Sequence, residues 1–232
     1  MKGKTAILTL SIATAALAVQ SSPKLAWTPK VGSTLEYAVV ANSKDDSGLE
    51  ITFKADQIQK VKSVENKKIK VESTMKNIRV LVNGQDMGDM AGGAEPESQT
   101  STHSEDGEML ESTAAGDANG HRIAQFMILI YPNKETGVGT SWTRKYKGTA
   151  EIPSSETKYT YAGLETVKTI SCHKVTFSFK ETSGDKPTTV NGTAWLRASD
   201  GELVKWDGKL ENVVWQAGLA PAVATMTVEL KK

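Results

Sequence analysis

His173–Arg197, HKVTFSFKETSGDKPTTVNGTAWLR, decides the fold. Val175, Phe177 and Phe179 alternate with Thr176, Ser178 and Lys180, the period-two pattern of a half-buried strand. Ser183-Gly184-Asp185-Lys186-Pro187 then breaks the run with residues suited to a turn, and the alternation resumes from Thr188. Outward from this hairpin the same grammar predicts a β-meander from Val138 to Trp215. Its strands are expected over Thr140–Thr149, Lys158–Val167, His173–Lys180, Thr188–Arg197, Glu202–Leu210 and Glu211–Ala217, with a turn at Ser199-Asp200-Gly201.

The N-terminal half reads the same way. Val31–Ala41 places Leu35, Tyr37 and Val39 on one face, and Asn42–Gly48 is a polar turn. Leu49, Ile51 and Phe53 alternate, and the strand runs on to Val64 with a change of phase near Asp56, the mark of a bulge. Glu65-Asn66-Lys67 is a turn, Lys68–Val82 a third strand, and Asn83-Gly84 a strong turn dipeptide. Between the halves, Gly84–Gly120 contains nine acidic residues and no Lys or Arg, so a basic framework carries one acidic insert, although the whole chain has a net charge of +1. The insert is expected to be a flexible surface loop with a ragged hairpin around Ser98–Ser112. Ile123, Phe126, Met127 and Ile130 recur at helical spacing, which predicts a short helix capped by Asp117 or Asn119 and ending at Tyr131-Pro132; a buried strand is the rival reading.

The halves echo one another. Val31-Gly32-Ser33 parallels Val138-Gly139-Thr140, and Ile58, Val61, Val64, Ile69 and Val71 parallel Leu164, Val167, Ile170, Val175 and Phe177. This is consistent with a duplicated β unit of roughly 100 residues, as two curved sheets or one large open barrel. The expected fold is therefore mainly β: an antiparallel curved sheet or sheets, half-barrel or open barrel, with one short helix. The organisation expected is a signal peptide at 1–18, a leader at 19–30, a first β unit at 31–83, the acidic insert at 84–120, and the helix with the second β unit at 121–232.

Lys2 and Lys4, the apolar run Thr5–Val19 and the small-x-small site Ala16-Leu17-Ala18 match a secretory signal peptide, with a retained anchor as the alternative. Export to the periplasm or beyond follows, with no membrane span expected in the mature protein. A single cysteine, Cys172, excludes an internal disulfide, so stability must come from the core.

Chemical motifs are sparse. Cys172-His173 are strand neighbours whose side chains should diverge, which argues against a nucleophile–base pair and for a small thiol beside an exposed imidazole. His103, His121 and His173 lack metal-ligand spacing, and the carboxylates of the insert lack the loop a calcium site requires. Lys60, Lys62, Lys67, Lys68, Lys70 and Lys76 suit a solvated or edge-protecting role better than nucleic-acid binding in an exported protein. No catalytic residue, cofactor or metal is expected.

Val138–Trp142, Tyr161–Val175 and Thr193–Trp206 resemble uncharacterised secreted bacterial β-domains, and more distantly the half-barrel lipid and lipoprotein carriers of the bacterial periplasm. The resemblance implies a strongly curved antiparallel sheet and an apolar or amphipathic ligand; it carries no site residues over. The expected function is a non-catalytic binding or carrier protein for a lipid or other apolar ligand. The alternative is an envelope protein that contacts protein or polysaccharide. Trp142, Phe177, Phe179, Trp195 and Trp206 are the candidates to line an apolar cleft.

Overall fold

A computed structural model describes residues 22–88, 98–113, 118–215 and 220–231. The expected signal peptide and Asp117 lie outside the described residues. The described chain forms one 12-stranded antiparallel sheet, curved and open, with one helix. The strands are β1 (Thr34–Asp45), β2 (Glu50–Glu65), β3 (Lys68–Val82), β4 (Gln85–Asp86), β5 (Gln99–Ser104), β6 (Met109–Ser112), β7 (Ser141–Tyr146), β8 (Ser155–Val167), β9 (Ile170–Glu181), β10 (Thr189–Arg197), β11 (Leu203–Val213) and β12 (Ala222–Leu230); the helix α1 (Ala118–Met127) lies between β6 and β7. The spatial order is β6-β5-β3-β2-β1-β12-β11-β10-β9-β8-β7, and β4 pairs with β3.

Three features depart from the expected elements. Leu203–Val213 is one strand: where a break was expected after Leu210, the register shifts and Asn212 takes φ 56°, a bulge within a continuous β11. Ala222–Leu230, absent from the predicted strands, joins the halves, pairing with β1 on one side and β11 on the other. The acidic stretch carries the expected hairpin, as β5 and β6, but that hairpin joins the main sheet: β5 pairs with β3 from Lys68↔Ser104 to Ser73↔Gln99, and β6 extends the edge. The phase change near Asp56 is a real register shift between Lys54 and Asp56. The turn at Asn66-Lys67 places both residues at positive φ, as a tight two-residue hairpin requires.

The two Val-Gly-Ser/Thr starts fold alike. Gly32 N donates to Val61 O at 2.8 Å and Val61 N donates to Ser33 O at 3.0 Å. Gly139 N donates to Tyr161 O at 2.8 Å and Tyr161 N donates to Thr140 O at 3.0 Å. Both glycines sit near φ 80° (81° and 85°), where a side chain would be strained. Register shifts follow in both halves, at Val61/Ser63 and Tyr161/Gly163. The structural correspondence therefore pairs Val61 with Tyr161, not with Val167 as the sequence comparison suggested. The order β3-β2-β1 recurs as β9-β8-β7.

The core lies on the concave face of β7–β12, beneath α1. Val175, Phe177 and Phe179 point inward, with Tyr159, Val190, Ala194, Trp206 and Leu210 from neighbouring strands. Phe126 of α1 meets Phe179 edge-on at 6.0 Å between ring centroids. The helix stops at Met127, short of the expected Tyr131, and 128–131 continues against the core as irregular chain. Its backbone carbonyls are met from below: Tyr159 Oη donates to Ile128 O at 2.8 Å and Trp142 Nε1 to Ile130 O at 2.8 Å. Pro132 biases Tyr131 away from helical backbone, so the end of the helix is favoured locally as well.

Two ion pairs pin the helix. Arg122 donates to both oxygens of Glu181 at 2.5 and 2.6 Å, and Glu181 also accepts from Thr188 N at 2.6 Å. Gln125 Oε1 accepts from Arg144 Nη2 at 2.7 Å, and Arg144 is held in turn by both oxygens of Glu108. Glu108 lies on the β5–β6 turn and Arg144 on β7, so this pair joins the two outer edges of the sheet. Tyr131 N, donating to Asp106 O at 2.8 Å, reinforces the clasp.

The predicted leader is folded in over residues 22–30. Asn133 N donates to Leu25 O at 3.0 Å, Thr136 N to Pro23 O at 2.9 Å and Thr28 N to Asp200 O at 2.8 Å, and Leu25 is buried in the core.

Candidate functional site

The inner face of the sheet changes character along its width. In β8–β11 it is apolar and covered by α1. In β2, β3 and β5 the same face carries Ala55, Gln57, Gln59 and Val61, then Ile69, Val71, Ser73 and Met75, then Gln99, Ser101 and His103, and α1 does not cover it. Strand alternation alone puts these side chains in one row. Between this half of the sheet and the flank of α1 is a cleft of ≈ 530 Å³. That lies within the range of about 300–1,000 Å³ usual for small-molecule sites.

Its walls are soft. Met75 (β3), Met109 (β6), Met127 (α1) and Met226 (β12) converge on it, with Ile123 and Leu129. Unbranched thioether side chains adapt to irregular ligands. At one end stands Trp27, which packs against both the main core and the small second cluster of Val61, Ile69 and Val71. Its indole stacks on Tyr131 at 6.3 Å and meets His103 edge-on at 5.6 Å.

Beside Trp27 is Glu202, only 6% exposed and lining the cleft. Burial is the largest influence on its carboxyl and pushes its pKa up, while a hydrogen bond from Trp27 partly offsets this. Arg197, the cation acting on Glu202, donates its Nε to Asp200 at 2.8 and 3.1 Å. Tyr37 and Tyr131 also line the cleft; their hydroxyls donate to Leu203 O at 3.1 Å and Gly201 O at 2.8 Å, and burial raises both phenol pKa values. His103 has its pKa lowered by burial, with Nε2 2.9 Å from Ser101 Oγ and Nδ1 3.3 Å from Gly107 O.

The five aromatic residues named from sequence lie elsewhere. Phe177 and Trp206 are buried together, ring centroids 5.3 Å apart, and Phe179 is buried against α1. Trp142 is partly buried, stacked on Tyr159 at 5.6 Å. Trp195 alternates with the buried Ala194 and Leu196, so it faces the convex side, between Lys174 and Lys205. None of the five lines this cleft. Conversely, Trp27, Glu202 and the methionines were not singled out. The signal available was the switch from Ile69 and Val71 to Ser73 and Met75 in one phase of one strand.

The other candidates are also placed. Cys172 is buried and free, and its thiol lies 3.4 Å from Ile170 O; burial raises its pKa, the opposite of thiolate activation. His173 is buried, not exposed as expected, with Nδ1 3.1 Å from Tyr161 Oη. His173 shares the inward phase of Val175 and Phe177, and Cys172 is buried as well. Among the described residues no group of three or more His, Cys, Asp or Glu could hold a metal ion, and no helix is long and apolar enough to cross a membrane.

No protein-family model matches the chain, and no curated protein matches it. Solved structures show low similarity to it over most of its length. Lipovitellin, in a structure addressing lipid–protein interactions, matches over 90% of this chain at 10% identity with a TM-score of 0.49; the match covers 25% of lipovitellin, so this chain spans about a quarter of it. A protein of Bacteroides fragilis described as exported and of YmcC-like fold matches over 90% of this chain and 100% of its own, at 13% identity and a TM-score of 0.37. The hypothetical lipoprotein YmcC of Escherichia coli matches over 84% of this chain and 83% of its own, at 16% identity and a TM-score of 0.30.

Proposed function

We propose that the protein is an exported, non-catalytic carrier that holds an apolar or amphipathic ligand in the cleft between α1 and the inner face of β1, β2, β3 and β5. The observation that supports this is the methionine-lined cleft of ≈ 530 Å³ on a concave sheet face whose other half is filled. An adaptable apolar wall opposite a row of amide and hydroxyl side chains suits a molecule with one apolar and one polar side. The export component rests on the N-terminal sequence.

The test is mass spectrometry of the protein purified after secretion with its own N-terminal segment, under native and then denaturing conditions. A bound mass that survives native spray and is released as a small molecule on denaturation is expected. The Ser73→Trp variant places an indole on the cleft floor and should lose that mass while keeping the circular dichroism of the parent. An apo spectrum for the parent, together with no saturable binding of an apolar fluorescent probe, would overturn the reading.

A further inference from the structure

We infer that the ligand of this cleft is an amphiphile with a cationic ammonium head, seated at the corner formed by Glu202, Trp27, Tyr37 and Tyr131. The inference deepens the carrier reading and rests on it. Among the described residues lining the cleft, none is Lys or Arg, and Glu202 is the one carboxyl group. A phosphate or free fatty-acid carboxylate would therefore meet no lining cation there and would oppose ionisation of the buried Glu202, which is unfavourable in a desolvated site. An ammonium would find its counter-charge.

The surroundings of Glu202 favour the same head. Arg197, the cation acting on Glu202, also donates its Nε to both carboxylate oxygens of Asp200, so its charge is shared between two acids and Glu202 is only partly compensated. Trp27 and Tyr131 are stacked at an interplanar angle of 15° beside it, and Tyr37 completes the aromatic side. The two tyrosine hydroxyls are occupied by backbone carbonyls, which fixes the rings in place. Indole and phenol rings grouped with a carboxylate are the recurring environment for ammonium groups, because the ring quadrupole attracts a cation that has shed its water. His103, kept neutral by burial, adds no opposing charge. The apolar chain would then lie along Met75, Met127 and Met226.

Binding of dodecylammonium, dodecanol and dodecanoate, which share one chain, to the full secreted protein tests this. Isothermal titration at neutral pH, below the micellar range, should rank them ammonium, alcohol, carboxylate, with the ammonium roughly tenfold tighter than the alcohol. In Glu202→Gln, near-isosteric and checked for folding by circular dichroism, the ammonium-to-alcohol ratio should fall to about one. In Trp27→Leu the ratio should also fall. Dodecanoate binding as tightly as dodecylammonium, or an ammonium preference that persists in Glu202→Gln, would overturn the head-group assignment while leaving the carrier reading standing. Failure of all three chains to bind would overturn both.

Discussion

Gly192 and Gly208 lie beneath the rings of Phe177 and Trp206: a Cβ at either position would collide with the ring above it. These glycines let two large aromatic side chains lie flat on the sheet, which no residue with a side chain would permit. Gly208→Ala is therefore expected to cost about 1–3 kcal/mol by urea denaturation, because a ring locked at 0% exposure has nowhere to go. Gly184→Ala, at a turn with open space, would lose only the smaller strain of its positive φ. Glu202 makes a second prediction at this scale. Its pKa is raised in the fold, so the folded state holds the proton to higher pH than the unfolded chain does. Stability attributable to this group is full below the ordinary glutamate pKa of 4.5 and falls as pH rises through the folded value. Tyr37, Tyr131, Trp27, Arg197 and Asp200 face it and stay unchanged in Glu202→Gln. The melting-temperature difference between variant and parent should therefore be more favourable to the variant at pH 7 than at pH 4; an equal difference at both would contradict the burial argument.

At the scale of elements, α1 is held by charge as much as by its apolar stripe. The Glu181 side chain is 2% exposed, and Arg122 is the cation that compensates it. Arg122→Met should destabilise the protein by roughly 3 kcal/mol, since it leaves a buried carboxylate with only Thr188 donating to it. Replacing both partners, Arg122→Met with Glu181→Leu, should recover most of that loss in a denaturant titration. The elements legible in sequence were those whose pattern is local. Val175-Phe177-Phe179 alternates without interruption, Asn66-Lys67 is a turn by composition, and the phase slip near Asp56 announces its bulge. β12 was missed although Ala222, Ala224, Val228 and Leu230 occupy alternating buried positions, because small Ala and Thr residues give alternation little hydrophobic contrast. The helix end was overrun because Ile130 keeps helical spacing with Phe126 and Met127, while the contact that decides its path, Trp142 Nε1 to Ile130 O, comes from another strand. The site was less legible for the same reason. Trp27 and Glu202 are far apart in the chain, and only the return of the 22–30 segment across the Asp200 turn brings them together. Large aromatic residues within strands, the natural choice for a cleft, pack into the core instead, as Phe177, Phe179 and Trp206 do, or face the convex side, as Trp195 does.

Over the whole molecule, the open sheet is closed on itself by side chains. Glu108 and Arg144 link the β5–β6 turn to β7, so opposite ends of the strand order meet without a hydrogen-bonded ladder. Arg144 is almost completely buried, and Glu108→Ala would leave it with the Gln125 amide and the Tyr146 ring but no carboxylate. Amide hydrogen exchange in Glu108→Ala should quicken in Gln99–Ser104, Met109–Ser112 and residues 128–131 while β9–β11 stay protected. Uniform protection across all of these would show that the clasp does not hold the edges.

β12 has a consequence for the order in which the molecule can be assembled. β1–β6 and β7–β11 are each contiguous in sequence, and the strand that touches both halves follows all the others along the chain. Each half can begin pairing as soon as its own strands emerge, but β1 and β11 must wait as raw edges until Ala222–Leu230 arrives between them. A polypeptide interrupted before that point would present two unsatisfied rows of backbone donors and acceptors, each matched in length to a strand it lacks. The arrival of Ala222–Leu230 thus determines whether two sticky half-sheets become one continuous sheet, and the interval before it is when the chain is most exposed to self-association.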